Sequence, residues 1–398
     1  MKTRVQIALV GTLLSIFAHL YLTLHYYPLK LGFAGGQSLC NLNAKFDCDA
    51  VAASPYSAFL GIPLSIWGMA TNAILFFLIL LAWLEWSEAP ERLRRWALTL
   101  SATSVLASVI MGAISFLLMP NYCLFCIALY ALSLIVFLAY KGVPREPLLP
   151  NLIRDLPELP GSGRGILIAM AAIPVSAFLT HQFFMQNFSD GKLQTLVEES
   201  LQDWQSSPKF DFVAKPSLAL GPSADQASMI LAEFADFRCS HCKHASYTLD
   251  AFAKSHPDVR LEFYAFPLDG ACNERIESPN GISCRLAYSV YCAEKEGKGW
   301  ELHHSLFEKQ EQINSLPGMN EIDIVLSKEV AALGINWETL RHCLEDPATQ
   351  EAIKAQTKQG GLVNVRGTPT IFANGRQLKR GQLLPVLQGA RSISMKNK

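Results

Sequence analysis

Apolar residues dominate five stretches of this chain, at about residues 5–26, 60–83, 96–119, 123–140 and 165–184. Each is close to the roughly 20 residues that an α-helix needs to cross the hydrocarbon core of a bilayer with its backbone polar groups paired internally. The pattern therefore predicts five membrane spans. The first run is longer than the roughly 7–15 apolar residues of a signal-peptide core, so it reads as a span. In the third, Ser104, Ser108 and Gly112 recur every fourth residue. That is either a small-residue face for close helix packing or chance in a Ser- and Ala-rich helix.

Beyond about residue 190 the pattern turns mixed. Strand-like runs, "MILAEFADF" and "VRLEFYAF", alternate with helical stretches, which predicts a soluble α/β domain. The Pro- and Gly-containing segment "PLLPNLIRDLPELPGSGRG" reads as a linker. The expected partition is a membrane domain at 1–145, a linker with the fifth span at 146–190, and a soluble domain at 191–398. The fold class is thus an α-helical membrane bundle, a four-helix core plus a fifth span, followed by an α/β domain.

Composition fits a membrane protein: 50% of the 398 residues are hydrophobic and 17% charged, with a net charge of +0. The neutral balance gives no sign of a nucleic-acid partner. Lys and Arg sit in "MKTR", in the loop "ERLRR" (Arg92, Arg94, Arg95), and at Lys141, Arg145, Arg154 and Arg164. By the positive-inside rule these segments are cytoplasmic. The N-terminus is then cytoplasmic, and the loops joining spans one to two and three to four face the other side. Five spans carry the soluble domain to that same extracytoplasmic face.

The 10 cysteines acquire meaning from this parity. Cys40 and Cys48 in the first external loop, Cys123 and Cys126 at the start of the fourth span, and Cys239 and Cys242 in "CSHC" all share one side of the membrane. A Cys-x-x-Cys pair can be half a zinc site, a structural bridge or a redox couple. His19 and His25 are the nearby zinc partners, but His19 sits mid-span. A bridge across two residues of a helix is strained and reducible, which favours the redox reading, with no metal expected. Cys123, Cys126 and Tyr130 share one helix face, so a flat apolar oxidant such as a quinone could meet a thiolate and a phenol together; an ordinary interfacial aromatic is the alternative for Tyr130.

"CNLNAKFDC", "DAVAASPYSAFLGIPLSIWG" and "CLFCIALY" resemble the vitamin K epoxide reductase family over about residues 1–140. The resemblance implies that Cys40 meets a thioredoxin-like partner, that Cys48 exchanges with Cys123, and that Cys126 reduces the quinone. It places Ser54 in the active site and Tyr130 in the quinone pocket. Leu64 stands where the animal enzymes have Asn, which weakens epoxide reduction more than it weakens thiol-to-quinone transfer.

In the soluble domain, "ILAEFADFRCSHCKHASYTLDAFAK" reads as strand, loop and helix, with the pair in the helix's first turn. A helix N-terminus stabilises a thiolate at Cys239, and His241 adds to this when protonated. A cis bond at Thr368-Pro369 would present backbone to an incoming chain. Together these resemble the DsbA-like branch of the thioredoxin superfamily over about 210–390, a thioredoxin-like fold with a helical insertion. The resemblance makes Glu233 the buried acid that handles the second cysteine's proton. Ser240 stands where the oxidase members usually have Pro. Cys272, Cys284, Cys292 and Cys343 allow three connectivities; Cys272–Cys284 and Cys292–Cys343 are favoured, with buried free thiols the alternative for the second pair. His303 and His304 read as helix-surface residues.

The reading is a membrane thiol–disulfide oxidoreductase that passes electrons from reduced secreted or periplasmic proteins to a ubiquinone- or menaquinone-type quinone, with membrane lipid as its surroundings. The expected home is a bacterial cytoplasmic membrane. The alternatives are a quinone reductase with an isomerase- or reductase-type soluble domain, and a non-catalytic redox or zinc sensor.

Overall fold

The structure is a computed structural model that describes residues 2–41, 45–145, 155, 164–189 and 192–396, with side chains of 188 and 189 excepted. Arg154 and most of the expected linker lie outside the described residues. The chain divides into two compact units. One holds Met1–Tyr27 and Ser38–Gly191, the other Pro28–Gln37 and Lys192–Lys398.

The first unit is helical. Its long elements are α1 (Lys2–Lys30), α3 (Leu64–Trp83), α4 (Pro90–Leu118), α5 (Leu124–Tyr140) and α6 (Arg164–Ser189), with a short α2 (Cys48–Ala53) between the first two. Among the described residues, α1, α3, α4 and α6 are long and apolar enough to cross a membrane. With 17 residues, α5 is a shorter apolar helix of about 26 Å. The segment "ERLRR", expected as a loop, forms the first turns of α4, because Pro90 is suited to the first helical position. There Arg95 holds Asp155 through both carboxylate oxygens at 2.8–3.0 Å.

Helix α3 packs on α4 and α6, and α4 on α5. Val5, Leu9, Leu78, Ile79, Val136 and Tyr140 form a shared core, whereas Leu14, Phe17, Leu106, Val109 and Phe178 remain exposed. An outward apolar surface of this kind is what lipid requires. The small-residue face of α4 meets α5: Ser133 Oγ donates to Ser108 Oγ at 2.9 Å, and the Tyr130 ring lies against Gly112. Between α2 and α3, β1 (Ala58–Phe59) and β2 (Ile62–Pro63) pair antiparallel around Gly61, whose φ of +79° suits glycine.

The second unit has a five-stranded sheet: β3 (Leu218–Leu220), β4 (Met229–Ala235), β5 (Val259–Ala265), β6 (Thr370–Ala373) and β7 (Arg376–Gln377), in the order β3-β5-β4-β6-β7. Helix α7 (Leu193–Ser206) precedes the sheet; strands β4 and β5 are almost entirely buried and run parallel, joined through α8 (Ser240–Ser255), and β6 is antiparallel to β4. Continuous apolar runs are the signature of such two-sided strands. Between β5 and β6 come α9 (Ile282–Lys295), α10 (Gly299–Glu308), α11 (Gln310–Ser315), α12 (Met319–Ala332), α13 (Trp337–Glu345) and α14 (Pro347–Leu362). Leu286, Leu302, Leu306 and Leu326 from these helices are fully buried in one core with Phe237, Phe263 and Cys242. At about 1.5–3 kcal/mol for each buried leucine, the insertion is part of the domain's core and not a detachable lid. Cys272 is bonded to Cys284, and Cys292 to Cys343.

His303 corrects an expectation. It lies on the inner face of α10, 1% exposed among Phe237, Phe263, Trp300 and Phe307, with neither ring nitrogen hydrogen-bonded among the described residues. Helical rotation of about 100° per residue separates neighbours, so His304 instead reaches toward the buried Asp250, which Lys254 also pairs at 2.7 Å. Burial, with His304 nearby, pushes the His303 pKa well below its ordinary value. An unfolded histidine gains its proton below about pH 6.5, while His303 stays neutral in the fold, so this residue costs stability as pH falls below that point. His303→Leu is expected to flatten the decline in stability of the full chain between about pH 6.5 and 5. Equal pH slopes for the two proteins in denaturant titrations would contradict this.

Candidate active site

Three sulfurs converge in the first unit. The Sγ atoms of Cys40, Cys48 and Cys123 all lie within 4.8 Å of one another and are buried. Cys40 is bonded to Cys48, and Cys123 to Cys126. The loop carrying the first pair is sewn to the segment before α5. Tyr122 N donates to Lys45 O at 2.7 Å, and Asp47 N donates to Tyr122 O at 3.0 Å. Asp47 caps α2 by accepting from Ala50 N at 2.8 Å, which fixes Cys48 at the helix start. Cys123 caps α5, its sulfur accepting from Cys126 N at 3.1 Å.

Asp49 and Asn41, which the sequence reading passed over, organise the loop. The Asp49 carboxylate accepts from Ser38 N at 3.1 Å and Asn41 Nδ2 at 2.7 Å, and it meets His25 Nε2 at 2.6 Å. Asn41 Oδ1 accepts from Cys48 N at 2.8 Å. The signal was present in "CNLNAKFDCD", where a residue able to bind backbone directly follows each cysteine of the pair. His25 is thereby held by a carboxylate, leaving the three sulfurs without that candidate as a fourth metal ligand.

A cavity of about 470 Å³ opens beside this cluster, reaching Cys48, Cys123, Cys126, Ser54 and Tyr130. Its walls are predominantly apolar, and its size suits a ring-sized ligand. Ser54 is buried and donates to Val51 O at 2.7 Å. Leu64 and the serines of the small-residue face, Ser104 and Ser108, also line the cavity, so that face provides space as well as packing.

In the second unit Cys239 and Cys242 are free thiols. Cys239 stands at the N-cap of α8, half-buried, and donates to the carbonyl of Thr368, the residue of the cis Thr368-Pro369 bond, at 3.3 Å. Gln310, another residue missed from sequence, donates to the carbonyls of Phe237 and Cys239 at 2.7 and 2.9 Å and holds the loop in place. The Cys242 thiol hydrogen-bonds to the Cys239 sulfur and, with the N–H groups of Cys242 and His241, outweighs burial to bring the Cys239 pKa down to about 5. His241 itself is exposed. Burial pushes Cys242 well above the ordinary thiol value, and its neighbours Cys239 and Glu233 add to that. Glu233 is buried in β4, opposite Ile371, with Oε1 unbonded among the described residues. Burial and then the Cys239 charge raise its pKa to about 8. The two cysteines are thus made unequal, one a ready thiolate and the other a thiol beside a protonated acid.

A profile of the Vitamin K epoxide reductase family matches residues 5–140, and one of the DSBA-like thioredoxin domain matches 230–395. The chain is 26% identical over 164 residues to Disulfide bond formation protein D of Bacillus subtilis, covering 39% of this chain and 67% of that protein. It is 24% identical over 152 residues to Na(+)/H(+) antiporter NhaA 3 of Salinispora tropica, covering 38% of this chain but only 21% of the antiporter. Among solved structures, oxidised BdbD of Bacillus subtilis aligns at a TM-score of 0.40 and 21% identity, covering 48% of this chain and 97% of that one. DsbA of Xylella fastidiosa aligns at 0.36 and 21%, covering 46% and 92%. The chain thus joins a match to the Vitamin K epoxide reductase family, in a unit with helices long and apolar enough to cross a membrane, to a match to the DSBA-like thioredoxin domain, and it spans only part of the length of the antiporter it matches.

Two outcomes follow from this geometry. Asp49→Ala leaves buried donors unpaired and is expected to cost about 2 kcal/mol or more. It should lower the melting temperature and loosen Cys40/Cys48 exchange with a dithiol, whereas Asp49→Asn retains part of both; an Ala variant indistinguishable from wild type contradicts the hub. Alkylation of Cys239 in the reduced full chain is expected to rise with a midpoint at about pH 5. A midpoint near the ordinary value of about 8.5 contradicts the thiolate assignment.

Proposed function

We propose that this chain, a vitamin K epoxide reductase family domain joined to a DsbA-like thioredoxin domain, moves electrons from substrate-protein thiols to a membrane quinone and so drives disulfide formation. The observation that carries the reading is the gathering of Cys40, Cys48 and Cys123 within 4.8 Å beside a cavity that also reaches Cys126.

The relay begins with the Cys239–Cys242 pair oxidised. A substrate thiolate attacks Cys239 and releases Cys242, which takes a proton from Glu233; the substrate's second thiol then displaces Cys239, leaving substrate disulfide and a Cys239/Cys242 dithiol. A thiolate with a pKa of about 5 is a good leaving group, which favours the second displacement. Cys239 next attacks Cys40, freeing Cys48, and Cys242 returns its proton to Glu233 as it displaces Cys40. Cys48 attacks Cys123 and frees Cys126, then Cys40 displaces Cys123, so the first-unit loop is reoxidised and Cys123/Cys126 hold the electron pair. A bound quinone supplies the two-electron, two-proton acceptor for that dithiol, with Cys126, Tyr130 and Ser54 at its cavity. Cis-Pro369 and the exposed His241 border the sulfur that substrate proteins must reach. Tethering keeps the thioredoxin-like domain at an effective concentration on the order of mM, so weak docking suffices.

The proposed setting is a bacterial cytoplasmic membrane, N-terminus in the cytoplasm and the 191–398 domain outside, as the Lys and Arg distribution favours. Reduced secreted or periplasmic proteins are the substrates.

One rival has an observation in its favour: three sulfurs this close could hold a metal ion when reduced. A zinc sensor would carry stoichiometric zinc after purification and show no turnover. The relay instead predicts that Cys126→Ala, expressed in cells and trapped with a thiol alkylating agent, accumulates Cys239/Cys242 in the reduced form while wild type holds them largely oxidised. Equal oxidation in both proteins would contradict the proposed route.

A further inference from the structure

The cavity beside Cys123 and Cys126 is lined by many hydroxyl and amide groups, but most of their hydrogens are spent on the protein's own carbonyls. Ser54 donates to Val51 O, Thr71 to Trp67 O, Asn72 Nδ2 to Gly68 O at 2.9 Å, and Ser104 to Leu100 O. Such back-bonding satisfies a polar group in an apolar helix and leaves it little to offer a ligand. Leu64, which also lines the cavity, has no side-chain donor.

His19 differs. It lines the same cavity from α1, and its Nδ1 is buried without a hydrogen-bond partner among the described residues. A buried polar atom in an apolar span is costly unless paired, so an unpaired one on a side chain that lines a cavity points to a ligand. The fold also makes room for the ring. It lies flat against Gly68 of α3, and a Cβ at that position would collide with Cε1, Nε2 and Nδ1 of the imidazole. Any residue larger than glycine at 68 must displace His19, so two helices cooperate to keep this imidazole at the cavity wall.

We propose that His19 hydrogen-bonds through its ring N–H to an oxygen of the quinone head group, and that Gly68 is the clearance residue that lets it do so. An imidazole carries an N–H donor in either protonation state, so the role does not depend on its charge. A polar anchor on one side of a largely apolar pocket orients a flat ligand, which here turns the ring toward Cys126. His19 is a positioning residue in this account. The inference rests on the proposed quinone reduction.

The test uses the full chain in lipid nanodiscs with every pair oxidised, so that no turnover occurs. The probe is a short-chain benzoquinone labelled with ¹³C at its carbonyl carbons. Two quantities are read: Kd, from quenching of tryptophan fluorescence, to which the cavity residue Trp67 contributes, and the infrared carbonyl stretch of the bound probe, which a hydrogen bond lowers. His19→Leu is expected to weaken binding about tenfold, or about 1.4 kcal/mol, and to raise the carbonyl frequency. His19→Gln keeps a donor and should recover most of both changes. Gly68→Ala should behave like His19→Leu although it removes no polar group. If wild type binds the probe while His19→Leu and Gly68→Ala keep its Kd and carbonyl frequency, the inference is overturned and quinone reduction stands. If wild type itself fails to bind benzo- and naphthoquinone probes, the quinone reading falls and takes this inference with it.

Discussion

The two backbone hydrogen bonds between Lys45–Asp47 and Tyr122 set the spacing of the sulfurs on which the proposed relay depends. One strand of contact carries the Cys40/Cys48 loop, and the other leads directly into Cys123 and α5. Thiol exchange is a direct displacement at sulfur, so a shift of the loop by a few ångströms would separate the pairs and end it. Asp49 stiffens this arrangement from behind. Its carboxylate gathers Ser38, Asn41 and His25, and Asn41 in turn holds Cys48. The loop is thereby ordered by side chains other than its cysteines.

In the second unit the same principle appears as an imposed inequality. Helix α8 offers N–H groups to Cys239 while the sheet buries Cys242 and Glu233. The first sulfur becomes a thiolate at neutral pH, and the second keeps its proton beside an acid that is also protonated. One cysteine is thus available to attack and to leave, and the other is supplied with a proton donor. The insertion helices contribute through Gln310, which donates to the carbonyls of Phe237 and Cys239, and through the core in which the Phe237 side chain is buried.

Much of this was legible in the sequence because it is local. Apolar runs of membrane length marked the long helices, Cys-x-x-Cys marked the starts of α5 and α8, and buried apolar runs marked β4 and β5. What escaped depends on distant partners. The role of Asp49 is not legible from the sequence alone, because it depends on Ser38, Asn41 and His25 being placed around it. His303 looked like a surface residue because the aromatic residues that bury it, Phe237 and Phe263, lie far off in sequence. The "ERLRR" segment was read as a loop although Pro90 had already marked a helix start. The face of Ser104, Ser108 and Gly112 was visible, but that it would both seat Tyr130 and open a cavity required knowing which helix lies against it.

The central claim is that electrons entering at Cys239 and Cys242 leave through the membrane unit to quinone. The most direct measurement mixes the purified, fully reduced chain with a soluble quinone and follows quinol formation while the thiols at Cys239 and Cys242 are counted. The account predicts that quinol appears in step with the loss of those thiols, and that the soluble pair is oxidised along with the membrane pairs. Thiols that persist at Cys239 and Cys242 while quinone stays oxidised would contradict it.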